Sequence, residues 1–223
     1  MTKSSLKIDI VSDVSCPWCI IGYQALTQAL NSLDEQADVQ VSWKPFELNP
    51  AMSAEGQLLV EHLQEKYGST PADVEATRRM ITNRGADLGF SFDFRENGRI
   101  YNTFNAHRLL FWSRKFGKQT ELKLALFKLY FSDGGNPGSA DDLIKTVKSV
   151  GLPEDEAAIL LNSEELAGEV RAEEYRYQSM GISSVPTFII NEKYMITGGQ
   201  PVEKFVEILG KIASEENAHA APV

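Results

Sequence analysis

The chain has 223 residues, of which 43% are hydrophobic, and its formal net charge is −9. This length and composition suffice for one large domain, or for two interlocked ones, with a hydrophobic core. The acidic balance argues against nucleic acids and anionic membranes as partners, and no apolar run approaches the ~20 residues that a membrane span requires.

The first predicted element is a buried strand over residues 7–12, which follows a short polar N-terminal segment. That segment lacks the charged start, the apolar stretch and the cleavage site of a signal peptide. We therefore expect a cytoplasmic protein.

Directly after this strand, the chain carries the four residues Cys16, Pro17, Trp18 and Cys19. A helical pattern begins there and extends over residues 17–33. Residues three apart lie on one face of a helix, so the two sulfurs can approach to bonding distance. Such a pair at a strand-to-helix junction is typical of a thioredoxin-like redox site.

The positions of the two cysteines in the helix predict their roles. Cys16 falls at the helix N-terminus, where unpaired N–H groups and the helix dipole favour a thiolate. Pro17 suits the first helical position because it lacks an N–H. We expect Cys16 to be the nucleophile, with a pKa below the usual ~8.5 of a cysteine. Cys19, one turn further along and more shielded, is then the resolving thiol that closes the disulfide and releases the substrate.

Two structural interpretations of the cysteine pair stay open. A structural disulfide is disfavoured in a reducing cytosol, and the chain has no further cysteine with which to build a disulfide framework. A zinc site normally needs four ligands, and the remaining soft donors, His62, His107 and His219, form no metal-like pair. We therefore expect neither a metal nor a cofactor, and the redox group is the Cys16–Cys19 disulfide itself.

Two titratable residues have open roles. Asp13 lies three residues before Cys16 and either caps or braces the turn or moves protons for the thiols, and we favour the bracing role. His107 falls on the aromatic face of a helix predicted over residues 102–116. A histidine in such a place is more often a packed core residue than a catalytic base.

After the first helix, apolar residues alternate over residues 39–46 and predict a second strand. A helix that connects two strands makes them parallel, with a right-handed crossover. Over residues 56–161 the pattern is helical and is interrupted by glycine-rich loops, most clearly at residues 133–138. One of these helices is predicted to start at Pro71, with Thr70 as its N-cap.

The last part of the chain returns to β structure. A charged helix over residues 164–180 leads to a strand that begins at Pro186, a place where proline is tolerated because it is the first residue of a strand. A hairpin loop, a return strand over residues 194–197 and a final helix follow. Because β patterns occur at both ends and are nearly absent between them, we predict one sheet built from two distant segments.

This order of elements resembles the thioredoxin fold, and its interruption by helices resembles the DsbA-like branch of that fold. Within the branch, the cysteine motif preceded by Asp13 is similar to FrnE-type oxidoreductases, as are residues 43–50, 102–108 and 181–188. The resemblance implies an α/β, thioredoxin-like fold with a large all-helical insertion. Residues 1–55 and 178–223 would form the discontinuous thioredoxin-like domain, and residues 56–177 the insertion.

The resemblance also implies an activity, thiol–disulfide exchange with protein or small-molecule thiols, for which glutathione is one candidate co-substrate. Pro186 matches the cis-proline of the family, which faces the cysteines across a cleft. The backbone of Val185 would then pair with an extended substrate segment. We expect a monomer or a homodimer that binds neither nucleic acid nor membrane.

This sequence departs from the pattern of the family in two ways. Trp18 stands where the strongly oxidising periplasmic members have histidine, so a cation that would stabilise the thiolate is missing. Some FrnE-type proteins carry a second cysteine pair, whereas this chain has two cysteines in all, which excludes a relay through a second pair.

Two other functions remain as alternatives. A sister group, the kappa-class glutathione transferases and the 2-hydroxychromene-2-carboxylate isomerases, shares this architecture and binds glutathione. Its members typically have serine where Cys16 stands, and the presence of both cysteines counts against this alternative. The other alternative is a chaperone-like binder that uses an apolar cleft and would keep its function after loss of both cysteines.

Overall fold

The computed structural model describes residues 4–32 and 37–220 and combines six strands with nine α-helices in this part of the chain. The strands are β1 (Ser4–Ser12), β2 (Ala37–Pro45), β3 (Gln57–Leu58), β4 (Arg99–Ile100), β5 (Thr187–Ile190) and β6 (Tyr194–Thr197). The helices are α1 (Pro17–Ser32), α2 (Leu59–Tyr67), α3 (Pro71–Asp87), α4 (Phe104–Trp112), α5 (Gln119–Phe131), α6 (Ala140–Ser149), α7 (Glu154–Leu161), α8 (Ala167–Ser179) and α9 (Val202–Ala220). A short 3-10 helix, Ser113–Phe116, directly follows α4.

Four strands form one sheet in the order β2-β1-β5-β6. β2 runs parallel to β1, as the crossover through α1 requires, whereas β5 is antiparallel to β1 and β6 is antiparallel to β5. Ile10, in the centre, pairs with Trp43 on one side and with Phe188 on the other. The prediction of a single sheet from two distant segments is therefore confirmed.

The segment between these strands is helical apart from one small ladder. Gln57 pairs with Ile100 and Leu58 with Arg99 in two antiparallel strands of two residues each, which an all-helical insertion does not include. The Arg99 guanidinium donates hydrogen bonds to two nearby carbonyl oxygens and fixes this pairing. The boundaries of the insertion itself, residues 56–177, stay a prediction.

Local signals placed several helix ends correctly. Thr70 caps α3, and its hydroxyl accepts a hydrogen bond from the N–H of Asp73, whose carboxylate accepts one from the N–H of Thr70. α8 begins later than the charge pattern predicts, because Leu166 adopts a left-handed backbone conformation with φ 62°. The predicted end of α1 at Leu33 lies outside the described residues.

Two buried apolar clusters hold the cysteine loop between them. The first joins the sheet, α1 and α9, and it includes both cysteines. The second fills the space among α4, α5, α6 and α7, and Val14 from the loop before Cys16 inserts into it. The loop is thus fixed by core packing on both sides. None of the helices within the described ranges is long and apolar enough to cross a membrane.

The contact between α1 and β5 depends on Gly22, which yields a first prediction. A Cβ atom at Gly22 would lie 2.9 Å from Cζ of Phe188, a fully buried ring, so the helix or the ring would have to shift. We expect Gly22→Ala to lower the free energy of unfolding by about 1–3 kcal/mol through overpacking. Urea unfolding followed by circular dichroism measures the change.

Gly210 in α9 supplies the matched control for this substitution. No heavy atom lies within 4 Å of a Cβ atom built there, so Gly210→Ala should raise the free energy of unfolding by about 0.5–1 kcal/mol through helix propensity alone. Equal effects at the two glycines would contradict the packing argument.

Candidate active site

The cysteine motif lies at the end of β1, where the chain turns into α1. The N–H of Cys16 donates to the carbonyl oxygen of Asp13 at 3.3 Å, and the N–H of Cys19 donates to the carbonyl oxygen of Cys16 at 3.1 Å. Pro17 is the first residue of α1, as its missing N–H predicts. Both cysteines are free thiols, and the exposed fractions are 4% for Cys16 and 0% for Cys19.

A cavity of about 770 Å³ opens beside the motif. Cys16 lines this cavity together with Pro17 and Trp18, whereas Cys19 is not part of its wall. The guanidinium of Arg84 lies 5.9 Å from the Trp18 ring. Because only one of the two thiols borders the cavity, a molecule bound there meets Cys16 first.

Val185 and Pro186 face the motif from the strand side. The peptide bond between them is cis, the geometry that the resemblance implied. The thiol of Cys16 lies 3.6 Å from the carbonyl oxygen of Val185, to which it can donate, and Val185 also lines the cavity. The structure thus brings together residues that lie far apart in the sequence.

Asp13 is fully buried below the motif and holds two loops together. Its Oδ1 accepts a hydrogen bond from the N–H of Ser15 at 3.2 Å, and its Oδ2 accepts one from the N–H of Leu48 at 2.7 Å. Burial opposes ionisation, but the proximity of His107 and the hydrogen bond from the N–H of Leu48 outweigh it and lower the pKa of Asp13. These contacts are those that the bracing interpretation predicts, and proton transfer by Asp13 stays open.

His107 is packed in the core on α4, with an exposed fraction of 2%. It nevertheless borders the site, because its Nε2 lies 3.6 Å from Oδ1 of Asp13 and has no hydrogen-bond partner in the described part of the chain. The histidine is therefore both a core residue and the electrostatic neighbour of the bracing carboxylate.

Lys123 is a site residue that the sequence reasoning missed. α5 carries it into the core, where its exposed fraction is 1% and its Nζ lies 3.5 Å from the carbonyl oxygen of Ser12. The ammonium also stacks over the rings of Trp43 and Phe127, at 5.3 and 4.9 Å from their centres. A signal existed, because position 123 falls on the same helix face as the apolar positions 122, 126 and 127.

The charge of Lys123 acts on the ionisation of Cys19. Burial lowers the pKa of Lys123 to about 8, although Cys19, Asp13 and Cys16 act to raise it. Burial would raise the pKa of Cys19, but the Cys16 thiol, the Lys123 charge and the hydroxyl of Ser12 lower it overall. The pKa of Cys16 is raised, first by its hydrogen bond to Cys19 and then by burial. The two thiols therefore share one proton through their hydrogen bond, and Lys123 is the buried cation that stabilises a thiolate on Cys19.

Two expectations are wrong on this point. The pKa of Cys16 is raised rather than lowered, because its position at the helix N-terminus is outweighed by the hydrogen bond with Cys19 and by burial. The site does not lack a cation either, because Lys123 supplies one below the motif, on the side of Cys19. The two thiols therefore differ in their surroundings. Cys16 is accessible from the cavity, whereas a thiolate on Cys19 is stabilised by the charge of Lys123.

Comparisons with known proteins agree with this geometry. The sequence profile described as DSBA-like thioredoxin domain matches residues 7–210. A crystal structure from Streptomyces coelicolor, described as a "probable DsbA oxidoreductase", is 27% identical and has a TM-score of 0.89, covering 98% of this chain and 92% of that chain. The Bacillus subtilis (strain 168) protein YwbO, described as uncharacterized, is 26% identical over 84% of this chain and 88% of its own length.

A third comparison concerns the fold alone. The cytosolic disulfide reductase DsbM from Pseudomonas aeruginosa, solved with GSH, is 15% identical and has a TM-score of 0.61 over 93% of this chain and 99% of that chain. The profile match runs from β1 into α9 and contains the cysteine motif, Asp13, His107, Lys123 and the Val185–Pro186 bond.

Proposed function

Because the chain belongs to the DSBA-like thioredoxin domain family, we propose that it is a thiol–disulfide oxidoreductase of the FrnE type. Its Cys16–Cys19 pair exchanges a disulfide with protein or small-molecule thiols. The observation that carries the proposal is the arrangement of the two buried thiols, one bordering a large cavity and the other directly behind it.

The reaction with a substrate disulfide begins at Cys16. The two thiols share a hydrogen bond, and when the shared proton is on Cys19, the Cys16 thiolate attacks one substrate sulfur. The substrate S–S bond breaks, and the first substrate thiolate takes the proton from Cys19 and leaves as a thiol. The product is a mixed disulfide between Cys16 and the second half of the substrate.

Resolution uses the charge environment of Cys19. Once Cys19 has released its proton, its thiolate attacks the sulfur of Cys16, which expels the second substrate thiolate and forms the Cys16–Cys19 disulfide. Two electrons pass from the dithiol to the substrate. Lys123 favours this step, because its positive charge lowers the pKa of Cys19. The same steps in reverse oxidise a substrate dithiol.

The cavity supports small thiols and peptide segments as substrates. Its volume of about 770 Å³ falls within the range of ligand pockets that hold drug-sized molecules. Glutathione is our proposed co-substrate, and the cytoplasm our proposed location, since the structural neighbour DsbM is described as cytosolic and was solved with GSH.

Equilibration with glutathione redox buffers tests this proposal. The protein is incubated at a series of ratios of reduced to oxidised glutathione and then alkylated, and its free thiols are counted by mass spectrometry. We expect a transition from two free thiols to none as the buffer becomes more oxidising. A pair that stayed reduced in all buffers, combined with no turnover of disulfides, would exclude the oxidoreductase and favour the isomerase or the non-catalytic binder.

A further inference from the structure

The cavity beside Cys16 is rich in cationic side chains, and most of them are already paired with the protein. The ammonium of Lys66 donates to a backbone and a side-chain oxygen of the loop after β2. Arg95 and Arg99 donate to backbone carbonyl oxygens of neighbouring loops. These groups therefore hold the wall of the cavity in place.

Arg78 differs from these cations. It lines the cavity from α3, on the same helix face as Val74, Thr77 and Ile81, which also line it. Its Nε and Nη2 atoms are buried, and neither has a hydrogen-bond partner in the part of the chain that the structure describes. Leaving donors of a charged group buried and unpaired is costly for a folded protein, so this guanidinium calls for an acceptor from outside the chain.

The two unpaired atoms identify the kind of acceptor. Nε and Nη2 form one edge of the guanidinium, and their N–H bonds are parallel. This edge matches the two oxygens of a carboxylate, which it binds with two hydrogen bonds. Both atoms are buried, so a charge pair formed at this edge is less screened by solvent than one on an open surface.

We propose that Arg78 binds the carboxylate of a small disulfide substrate while Cys16 attacks one of its sulfurs. The proposal rests on the proposed function and adds a substrate class, acidic disulfides of low molecular weight. The ion pair with Arg78 forms and breaks no covalent bond. It positions the substrate, and the exchange at sulfur proceeds as described above.

Two matched disulfides test the proposal. 3,3′-Dithiodipropionate carries a carboxylate at each end, whereas 2-hydroxyethyl disulfide is neutral. We expect Arg78→Gln to lower kcat/KM for the acidic disulfide roughly tenfold to a hundredfold, the range of a lost charged hydrogen-bond pair. The kcat/KM for the neutral disulfide should change by less than about twofold. Arg78→Lys should restore part of the loss for the acidic disulfide. Equal losses for both disulfides, or no loss for the acidic one, would overturn the proposal.

Arg79→Gln is the control. Arg79 is the exposed neighbour of Arg78 on α3 and does not line the cavity, so this substitution removes the same charge outside the cavity. Arg79→Gln should leave kcat/KM unchanged for both disulfides. Arg78→Gln should also leave the urea midpoint unchanged or raise it, since it removes buried unpaired donors. A clear fall in the midpoint would instead assign Arg78 a structural role and overturn the proposal.

A binding measurement separates this proposal from the proposed function. Octanedioate has the same number of chain atoms between its two carboxylates as 3,3′-dithiodipropionate, with methylene groups in place of the sulfurs, so it cannot undergo exchange. Calorimetry should show binding to the wild type and a roughly tenfold or greater weakening in Arg78→Gln. If the wild type binds octanedioate through Arg78 but reduces neither disulfide, the oxidoreductase fails and the carboxylate site stands. If octanedioate binds both proteins equally, or neither, the carboxylate site fails.

Discussion

Cys19→Ser is expected to attack disulfides once and then stop, with Cys16 held in a mixed disulfide with the substrate. Cys16 borders the cavity and can perform the first attack, but without the sulfur of Cys19 no resolving thiolate lies behind it. Steady-state turnover should fall by roughly three orders of magnitude or more. Mass spectrometry of the intact protein, after exposure to a small disulfide and quenching in acid, should show one substrate adduct per chain.

Cys16→Ser is the matched control, since it makes the same chemical change one turn away. This variant should lose turnover as completely but form almost no adduct, because Cys19 is fully buried and does not line the cavity. Adducts on Cys16→Ser together with none on Cys19→Ser would reverse the roles of the two cysteines. Full activity of both variants in a glutathione-dependent isomerase assay would replace the oxidoreductase with the sister-group function.

The parts of this fold that sequence reasoning placed correctly depend on local spacing. An apolar run marked β1, alternating apolar residues marked β2, and the order Thr70-Pro71 marked the start of α3. Each of these signals operates within a few residues. The positions of Cys16 and Cys19 on one helix face follow from the same local rule.

The charges below the cysteines could not be placed in this way. Lys123 lies on α5 and meets Cys19 only because α5 packs against the sheet and α1. The helix N-terminus alone predicts a low pKa for Cys16, whereas the hydrogen bond with Cys19 and the burial of the folded site raise that pKa. Arg78 illustrates the same limit, since neither its place in the cavity wall nor its unpaired atoms have a signature in the sequence.

Lys123→Met is expected to raise the pKa of Cys19 by about one unit or more, the effect of removing an opposite charge from a buried site. Methionine keeps the length and apolar contacts of the lysine stem, so the substitution tests the charge. Absorbance of the thiolate at 240 nm, followed against pH in the reduced proteins, measures the change. The difference between variant and wild type should be largest below about pH 8, where Lys123 is protonated, and should shrink above it as the lysine loses its charge.

A weaker thiolate also changes the redox equilibrium. Thiolate stabilisation favours the reduced protein, so its loss in Lys123→Met should shift the reduction potential of the pair to more negative values. The shift should be about 30 mV for each unit by which the pKa of Cys19 rises, as long as this pKa stays below the pH of the measurement. Lys128→Met is the matched control, because Lys128 lies on the same helix but is exposed and pairs with Asp133. It should leave both the thiolate titration and the potential unchanged. An unaltered Cys19 titration in Lys123→Met would show that the lowered pKa of Cys19 does not depend on the buried ammonium, and would leave the thiol of Cys16, the hydroxyl of Ser12 and the backbone of Asp13 as its causes.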